Sequence, residues 1–364
     1  MIDPELSRAE TLPSEHYTSE AKYRQQVETA LLGGWHVVAR RADVRAPGTV
    51  LPVTLGPGSL DEPVVLVRQT DGALAAFANV CTHRGATIVG ERCEGASSLR
   101  CPYHGRLFGL DGRFRSMPEM EGVEGFPSGR DDLTRLGVAE WGPLVFVSFS
   151  PREPFEAWIA PVERRVGAMG CAAWAFDAET TYDVPSHWAL YVDNFLEGFH
   201  IPWVHPALAR TIDYKQYTTA VGERENVQIA IARDGEPAFD LPDGHVDADR
   251  SVAAYYFFVF PTTMLNFYPW GLSVNVVEPR GVERTAVRFW PFVRDASLRD
   301  VGAGGALDLV QREDEAIVGR VAEGIRSRAY RRGRYSVLQE ACVHQFHRTL
   351  TAWVEGPPPT EPHP

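Results

Sequence analysis

Two pairs of cysteine and histidine stand close together in the first third of the chain. Cys81 and His83 are separated by one residue, and after a further seventeen residues Cys101 and His104 are separated by two. Each pair can place a thiolate and an imidazole on one tight loop, so two facing loops can present two sulfur and two nitrogen ligands. This set suits a [2Fe–2S] cluster of the Rieske type, in which two cysteines hold one iron and two histidines hold the other. A structural Cys2His2 zinc site is the alternative.

A second group of possible ligands lies in the middle of the chain. Glu197 and His200 are three residues apart, a spacing that predicts one shared helix face. His205 comes five residues after His200, which a regular helix would separate by about 140°. Pro202 lies between the two histidines and Pro206 follows, so the helix is expected to be distorted or to end there, and the break is expected to turn His205 back toward His200.

Two histidines and one carboxylate form the ligand set of many mononuclear non-haem iron sites. Asp314 is the best candidate for the acid, because it shares the predicted apolar stripe of its helix. The stripe consists of Ile317, Val318, Val321 and Ile325. A buried carboxylate needs a partner, and a metal ion would provide one. Glu313 is the next candidate, and the alternative without a metal is a carboxylate stabilised by the dipole at a helix N-terminus.

The elements that must position the first site are short strands. Residues 19–32 predict a helix that Gly33 and Gly34 end. From about residue 35 to residue 149, runs rich in Val and Phe and bounded by turn residues predict β-strands, among them VVLVRQ, ALAAFANV and LVFVSF. Residues 116–132 predict a long polar loop.

The second site must be positioned by a mixture of strands and helices. One helix is predicted over PFEAWIAPVERRVGAMG, and two longer ones over LDLVQREDEAIVGRVAEGIRSRAY and VLQEACVHQFHRTLTAWV. Three consecutive antiparallel strands are predicted over AYYFFVFPTTMLNFY, LSVNVVEP and RTAVRFWPFV. Residues 233–250 and 295–306 predict loops. Strands followed by helices are typical of an α+β domain.

Composition excludes several classes of protein. The net charge of −12 argues against general nucleic-acid binding, which needs a basic face. No apolar run is long enough to predict a membrane span, and no signal peptide is predicted. Five cysteines, an odd number, predict metal ligation in a reducing cytoplasm and not a disulfide framework. Cys93, Cys171 and Cys342 are predicted to be free or buried thiols.

Nearly the whole chain resembles the Rieske ring-hydroxylating oxygenase alpha subunits. Their pattern C-x-H-R-G followed by C-P-Y-H-G is matched from Cys81 to Gly85 and from Cys101 to Gly105. Their second pattern, N-x-x-E/D-x-x-H-x-x-x-x-H with a later E-D pair, is matched by Asn194, Glu197, His200, His205 and Glu313-Asp314. The segments FPTTMLNFYPW and GIRSRAYRRGRYS look most like the choline, betaine and carnitine branch. The usual N-W-K is replaced by His187-Trp188-Ala189, and Glu197 stands where many members have Asp.

This resemblance implies an α+β fold with two domains. One is an all-β Rieske [2Fe–2S] domain, and the other is a helix-grip (START-like) catalytic domain with a curved antiparallel sheet. We place an N-terminal helical segment that packs with the catalytic domain at residues 1–35, and the Rieske domain at residues 36–150. The catalytic domain is placed at residues 151–356 and a disordered tail at residues 357–364.

The resemblance also implies cofactors and partners. Cys81, His83, Cys101 and His104 would hold the cluster, and His200, His205 and Asp314 would hold Fe2+. Asn194 and Glu197 would be catalytic, with Glu197 bridging His104 of one subunit to His200 of the next in a homotrimer. Electrons would come from NAD(P)H through a separate ferredoxin, flavin reductase or both, and one or both atoms of O2 would enter the substrate.

The substrate pocket is predicted among aromatic residues of the second domain. The candidates are Tyr255, Phe257, Phe267, Tyr268, Trp270 and Phe289. Aromatic faces attract quaternary ammonium ions and stack equally well on arenes. The expected reaction is hydroxylation or oxidative demethylation of a small quaternary ammonium compound, or alternatively of an aromatic one. Two non-enzymatic alternatives are a Rieske electron carrier and a helix-grip ligand-binding protein with a structural zinc.

Overall fold

The computed structural model describes residues 1–223, 225–357 and 359, and the chain divides into two compact units. A larger unit comprises Met1–Ala30 together with Glu153–Pro357, and a smaller unit is built from Leu31–Arg152. The two ends of the smaller unit lie side by side, because the N–H groups of Ser150 and Arg152 donate to the carbonyl oxygens of Leu32 and Gly33. The predicted tail at residues 357–364 lies mostly outside the described residues.

The smaller unit is built mainly of β-strands, with two short 3-10 helices at Arg41–Val44 and Gly129–Asp131. The strands are β1 His36–Arg40, β2 Val50–Leu55, β3 Glu62–Arg68, β4 Leu74–Ala78, β5 Leu99–Arg100, β6 Leu107–Phe108, β7 Phe114–Ser116, β8 Arg135–Trp141 and β9 Leu144–Ser148. A six-stranded antiparallel sheet has the order β1-β9-β8-β4-β3-β2, and a three-stranded sheet has the order β5-β6-β7. Cys81, Cys101 and Phe108 belong to a buried apolar cluster with strand residues such as Val65 and Phe77. The two candidate cysteine ligands are therefore part of the core of this unit.

The larger unit combines helices with one extended sheet. Its helices are α1 Glu15–Thr18, α2 Glu20–Gln26 with a π-helical continuation Val27–Leu31, α3 Phe155–Val166, α4 Trp188–Phe195, α5 Ile201–Val204, α6 Leu208–Thr211, α7 Leu307–Gly324 and α8 Ala341–Glu355. Its strands are β10 Ala175–Phe176, β11 Thr180–Val184, β12 Thr218–Val221, β13 Asn226–Ile231, β14 Val252–Val259, β15 Thr263–Tyr268, β16 Gly271–Pro279 and β17 Thr285–Val293. The strand order is β10-β17-β16-β15-β14-β13-β12, all antiparallel, and β11 also pairs with β17.

Most predicted elements are present, and the α+β fold with an all-β first domain is confirmed. One strand prediction was wrong: the segment AYYFFVFPTTMLNFY is a hairpin of β14 and β15 that turns at residues 260–262. Proline lacks the N–H that a strand interior needs, so Pro261 marks the turn. None of the five cysteines is joined to another by a disulfide, and Cys93 is exposed whereas Cys171 and Cys342 are buried. Within the described part of the chain, no helix has both the length and the apolar character of a membrane span.

Candidate metal centres and substrate cavity

The two Cys–His pairs occupy two loops of the smaller unit that share one backbone shape. In each loop the cysteine N–H donates to a carbonyl oxygen five residues later, that of Ala86 or Arg106, over 2.8 Å. In each, the N–H of a glycine four residues after the cysteine donates back to the cysteine carbonyl. Gly85 and Gly105 both have φ of +71°, a left-handed conformation that glycine adopts without strain. The two motifs therefore encode the same loop twice.

The four side chains separate into an inner and an outer pair. The thiols of Cys81 and Cys101 are buried, whereas His83 and His104 are exposed with ring centroids 4.8 Å apart. Burial, the largest influence, and the adjacent Cys101 thiol raise the pKa of Cys81. This arrangement fits a binuclear cluster with one iron on the inner thiolates and the other on the outer imidazoles.

An ion pair between the buried Arg106 and the half-buried Asp131 holds the two loops in place. This pair was not predicted from the sequence. Arg106, which is 2% exposed, donates from Nη2 to Asp131 Oδ1 over 2.6 Å and lies over the Phe114 ring. The Thr82 hydroxyl, within the first loop, donates to the Asp131 carbonyl oxygen over 2.9 Å. The end of the predicted polar loop at residues 116–132 therefore secures both cluster loops.

The second group of ligands converges on one point in the larger unit. His200 Nε2 lies 3.1 Å from His205 Nε2, and Asp314 Oδ1 lies 3.0 Å from His205 Nε2 and 3.5 Å from His200 Nε2. Such separations suit three ligands at bond lengths of roughly 2.1 Å around one ion. The donor set is the 2-His-1-carboxylate set of non-haem iron(II) sites.

Hydrogen bonds to two further carboxylates set the proton positions on both imidazoles. His200 Nδ1 donates to Glu197 Oε1 and His205 Nδ1 donates to Glu313 Oε2, each over 2.7 Å. Both Nε2 lone pairs therefore face the same space as the Asp314 oxygen, an arrangement that calls for a cation. Burial acts to lower the pKa of His205, but the hydrogen bonds to Asp314 and Glu313 outweigh it and raise that pKa. The negative charge that favours a proton there favours a metal ion equally.

The local structure around the histidines differs from the prediction. Glu197 is not on a helix face, because α4 ends at Phe195 and Glu197 lies in the following turn, where its Oε2 also accepts the His200 N–H over 3.0 Å. The predicted helix end is present, because α5 stops at Val204, before His205 and Pro206. Pro202 does not distort this helix, because it lies in the first turn of α5, where a missing N–H has no cost. His200 and His205 are the residues that flank this four-residue helix.

Asp314 lies on α7, and its neighbours only partly follow the predicted stripe. Val318 and Ile325 are buried, but Val321 is 46% exposed, so the prediction was wrong there. Ala322 takes its place on the buried side. Asn194 on α4 donates from Nδ2 to Asp314 Oδ1 over 2.6 Å and so fixes the acid.

The residue before Asn194 anchors α4 on its other side. Asp193 accepts hydrogen bonds from the buried His347 ring over 2.7 Å and from the Tyr17 hydroxyl over 2.8 Å. The other nitrogen of His347, Nδ1, forms a hydrogen bond with the Tyr335 hydroxyl over 2.6 Å. These hydrogen bonds hold α4 firmly while Asn194 reaches the acid.

A cavity of the larger unit opens beside the three candidate ligands. Its aromatic walls are Tyr191, Phe195, Tyr217, Tyr256, Tyr268 and Phe289. Amide side chains line it as well, namely Asn194, Gln228, Asn266, Asn275 and Gln311. Gly198 allows the wall to close, because any Cβ there would lie 2.6 Å from the Tyr217 ring.

Only part of the predicted pocket lines this cavity. Tyr268 and Phe289 do. Tyr256 and Asn266 line it too, and strand side chains alternate between faces, so Tyr255, Phe257 and Phe267 point to the opposite side of the sheet. Trp270 stacks behind Tyr268, with ring centroids 5.3 Å apart. The prediction was therefore wrong for Tyr255, Phe257, Phe267 and Trp270, and the strand register would have been needed to choose correctly.

Family models match both units of the chain. A model of the Rieske [2Fe-2S] domain matches residues 34–127, and a model of the ring hydroxylating alpha subunit (catalytic domain) matches residues 171–356. The chain belongs to the ring-hydroxylating alpha subunit family. This Rieske oxygenase is an oxidoreductase with a [2Fe–2S] cluster and a mononuclear iron, and it acts on a small molecule with O2. Membership excludes a structural zinc site at the first motif, a simple electron carrier and a ligand-binding protein.

Individual relatives of this Rieske oxygenase are similar over almost its full length. The chloroplastic choline monooxygenase of Arabidopsis thaliana is 29% identical, covering 96% of this chain and 84% of the relative. The carnitine monooxygenase oxygenase subunit of Escherichia coli K12 is 26% identical, covering 93% and 92%. The fold is that of the quaternary ammonium Rieske monooxygenase CntA in complex with L-carnitine, with a TM-score of 0.74, 22% identity and coverage of 96% and 97%. For naphthalene 1,2-dioxygenase with indole bound, the TM-score is 0.71 and the identity is 17%, and the match covers 97% of this chain and 95% of that one.

Proposed function

We propose that this chain is the oxygenase component of a system that hydroxylates or oxidatively demethylates a small quaternary ammonium compound. The observation that carries the proposal is the cavity beside His200, His205 and Asp314, where six aromatic side chains surround the space next to the candidate ligands. A quaternary ammonium ion cannot donate hydrogen bonds, so aromatic faces are its natural partners, each contributing roughly 0.5–2 kcal/mol. The similarity to choline and carnitine monooxygenases supports the same substrate class.

The site residues take the following roles in this proposal. Cys81, Cys101, His83 and His104 hold the cluster, and His200, His205 and Asp314 hold the iron. The bound cluster supplies single electrons, and the bound iron supplies the place where O2 is activated beside the substrate.

The remaining polar residues position the ligands. Glu197 and Glu313 each accept the outer N–H of one ligating histidine, which fixes the ring and increases the basicity of the nitrogen that faces the iron. Asn194 holds the Asp314 carboxylate by its hydrogen bond. The aromatic walls exclude water and hold the substrate cation next to these ligands.

Electron transfer between subunits is part of the proposal. We infer a homotrimer in which Glu197 links His104 of one subunit to His200 of the next. Two features support it: Glu197 already accepts from His200, and His104 is exposed. The structure of a similar quaternary ammonium Rieske monooxygenase gave insights into inter-subunit electron transfer in that protein. NAD(P)H would deliver electrons in the cytoplasm through a separate flavin reductase, with or without a ferredoxin. We propose domain boundaries at residues 35/36 and 150/151, which lie within five residues of the ends of the smaller unit.

The substrate class is tested by a screen with two arms. One contains choline, glycine betaine, carnitine and stachydrine-like amines, and the other contains simple aromatic acids and methoxyarenes. The purified oxygenase is supplied with a reductase, and substrate-dependent consumption of NADH and O2 is measured with detection of the product. We expect turnover in the ammonium arm. Aromatic walls stack arenes too, so turnover confined to the second arm would replace this proposal with an aromatic-substrate oxygenase.

A further inference from the structure

One face of the sheet gives the cavity a floor of neutral polar side chains. Strand register places Gln228 opposite Tyr256, Tyr256 opposite Asn266 and Asn266 opposite Ser273. Asn275 follows two residues after Ser273 and therefore points to the same face. Gln228, Asn266, Ser273 and Asn275 are 1%, 3%, 1% and 7% exposed. A buried polar row of this kind needs hydrogen-bond partners.

Most members of the row have partners within the protein. Gln228 accepts from the Tyr217 hydroxyl over 3.0 Å and donates to the Phe195 carbonyl over 2.6 Å. Ser273 donates to Asn275 Oδ1 over 2.8 Å. The Asn266 carbonyl oxygen is buried and has no partner in the described part of the chain. A buried acceptor without a partner destabilises the protein, and a donor on a bound substrate would remove that cost.

The charges around the cavity restrict what the substrate can carry. The described lining includes the carboxylates Glu197 and Asp314 but neither lysine nor arginine. A substrate carboxylate on the floor would be buried among amides and tyrosines without a cation, which is strongly unfavourable. A substrate hydroxyl carries no charge and can donate to Asn266.

We propose that the substrate is a quaternary ammonium compound with a neutral, hydroxyl-bearing tail, and that Asn266 is the specificity residue that recognises the hydroxyl. The enzyme thus prefers amino alcohols of the choline type to zwitterions that carry a carboxylate. This inference rests on the function proposed above. It places the cation against the aromatic walls and the hydroxyl on the polar floor.

The test uses ligands that differ in one group. Choline and glycine betaine differ only in a hydroxymethyl group against a carboxylate, and n-propyltrimethylammonium replaces the choline hydroxyl by a methyl group. Dissociation constants are measured by calorimetry on the iron-loaded enzyme, and reductase-supported O2 uptake is followed in parallel. We expect choline to bind at least about 10-fold more tightly than either analogue, as one hydrogen bond or one uncompensated charge would give.

Two variants locate the effect. Asn266→Leu is expected to lose about 10-fold in choline affinity, to retain affinity for n-propyltrimethylammonium, and so to lose the discrimination between them. Thr263→Val is the matched control. Thr263 is fully buried on the opposite face of the same strand, and its hydroxyl has no hydrogen-bond partner among the described residues, so this variant should leave both affinities unchanged.

The outcomes separate the two proposals. Equal or tighter binding of glycine betaine, or unchanged discrimination in Asn266→Leu, would overturn the hydroxyl assignment and leave the quaternary ammonium proposal standing. Binding of none of the three ammonium compounds would overturn both.

Discussion

The two candidate metal centres are built in opposite ways. All four candidate cluster ligands fall within residues 81–104, on two loops that repeat the same hydrogen bonds and the same glycine conformation. The candidate iron ligands and their supports come from α4, the turn after it, the two ends of α5, and α7, and the Asn194–Asp314 bond joins residues 120 positions apart. The first centre is a property of a local motif, whereas the second exists only when the larger unit has folded.

The largest expected effect follows from removing an iron ligand. Asp314→Ala should abolish the mononuclear iron and all oxygenation, while the cluster spectrum stays intact because its ligands lie in the other unit. Iron content by elemental analysis and the visible absorption spectrum measure the two centres separately. Glu323→Ala, an exposed acid on the same helix, is the control. Full iron content and turnover in Asp314→Ala would move the ligand role to Glu313.

The next largest effect is expected from a change of Glu197, the residue proposed to link the two metal centres between subunits. Glu197→Gln keeps the size of the side chain but removes its charge and one acceptor oxygen, so both metals should remain while steady-state turnover falls by orders of magnitude. Reduction of the cluster by an external reductant should be unchanged. Stopped-flow absorbance of the reduced cluster mixed with O2 and substrate measures the transfer step. Reoxidation at the wild-type rate would mean that electrons take another route.

A smaller effect should follow from loosening one ligand. Glu313→Gln leaves all three ligands in place but weakens the bond that fixes His205, so iron affinity should fall by about 10–100-fold. Titration of the metal-free protein with Fe2+ under anaerobic conditions gives the dissociation constant, and Glu323→Gln provides the comparison. If both variants bind iron as tightly as the wild type, the Glu313 contact has no role in holding the metal.

The smallest structural disturbance should come from a ligand exchange in the cluster. His83→Cys or His104→Cys should retain a [2Fe–2S] cluster and lower its reduction potential, because a thiolate adds negative charge where imidazole is neutral. Potentiometric titration followed by absorbance measures the shift. A potential and spectrum identical to wild type in both variants would remove these histidines from the ligand set.

The two centres also differ in how much of each could be predicted from the sequence. The two loops that carry the candidate cluster ligands could be predicted, because their glycines, cysteines and histidines are close together in the sequence. The iron ligand types could be predicted, but the contact of Glu313 with His205 could not, since it joins residues 108 positions apart. Four of the six aromatic residues predicted for the pocket do not line the cavity, and the reason is physical. Strands β13 to β16 are buried on both faces, so their sequences show no alternation that would tell Tyr255 from Tyr256.

The side-by-side ends of the smaller unit make it an insertion in the topological sense. The chain enters the unit at Leu31 and leaves it at Arg152, and the hydrogen bonds from Ser150 and Arg152 to Leu32 and Gly33 hold these two ends together. A module closed in this way can be exchanged for another electron carrier by two cuts, without altering the order of the elements that surround the substrate. Residues 1–30 must stay with the host in any such exchange, because Tyr17 supports Asp193 beside the iron ligands.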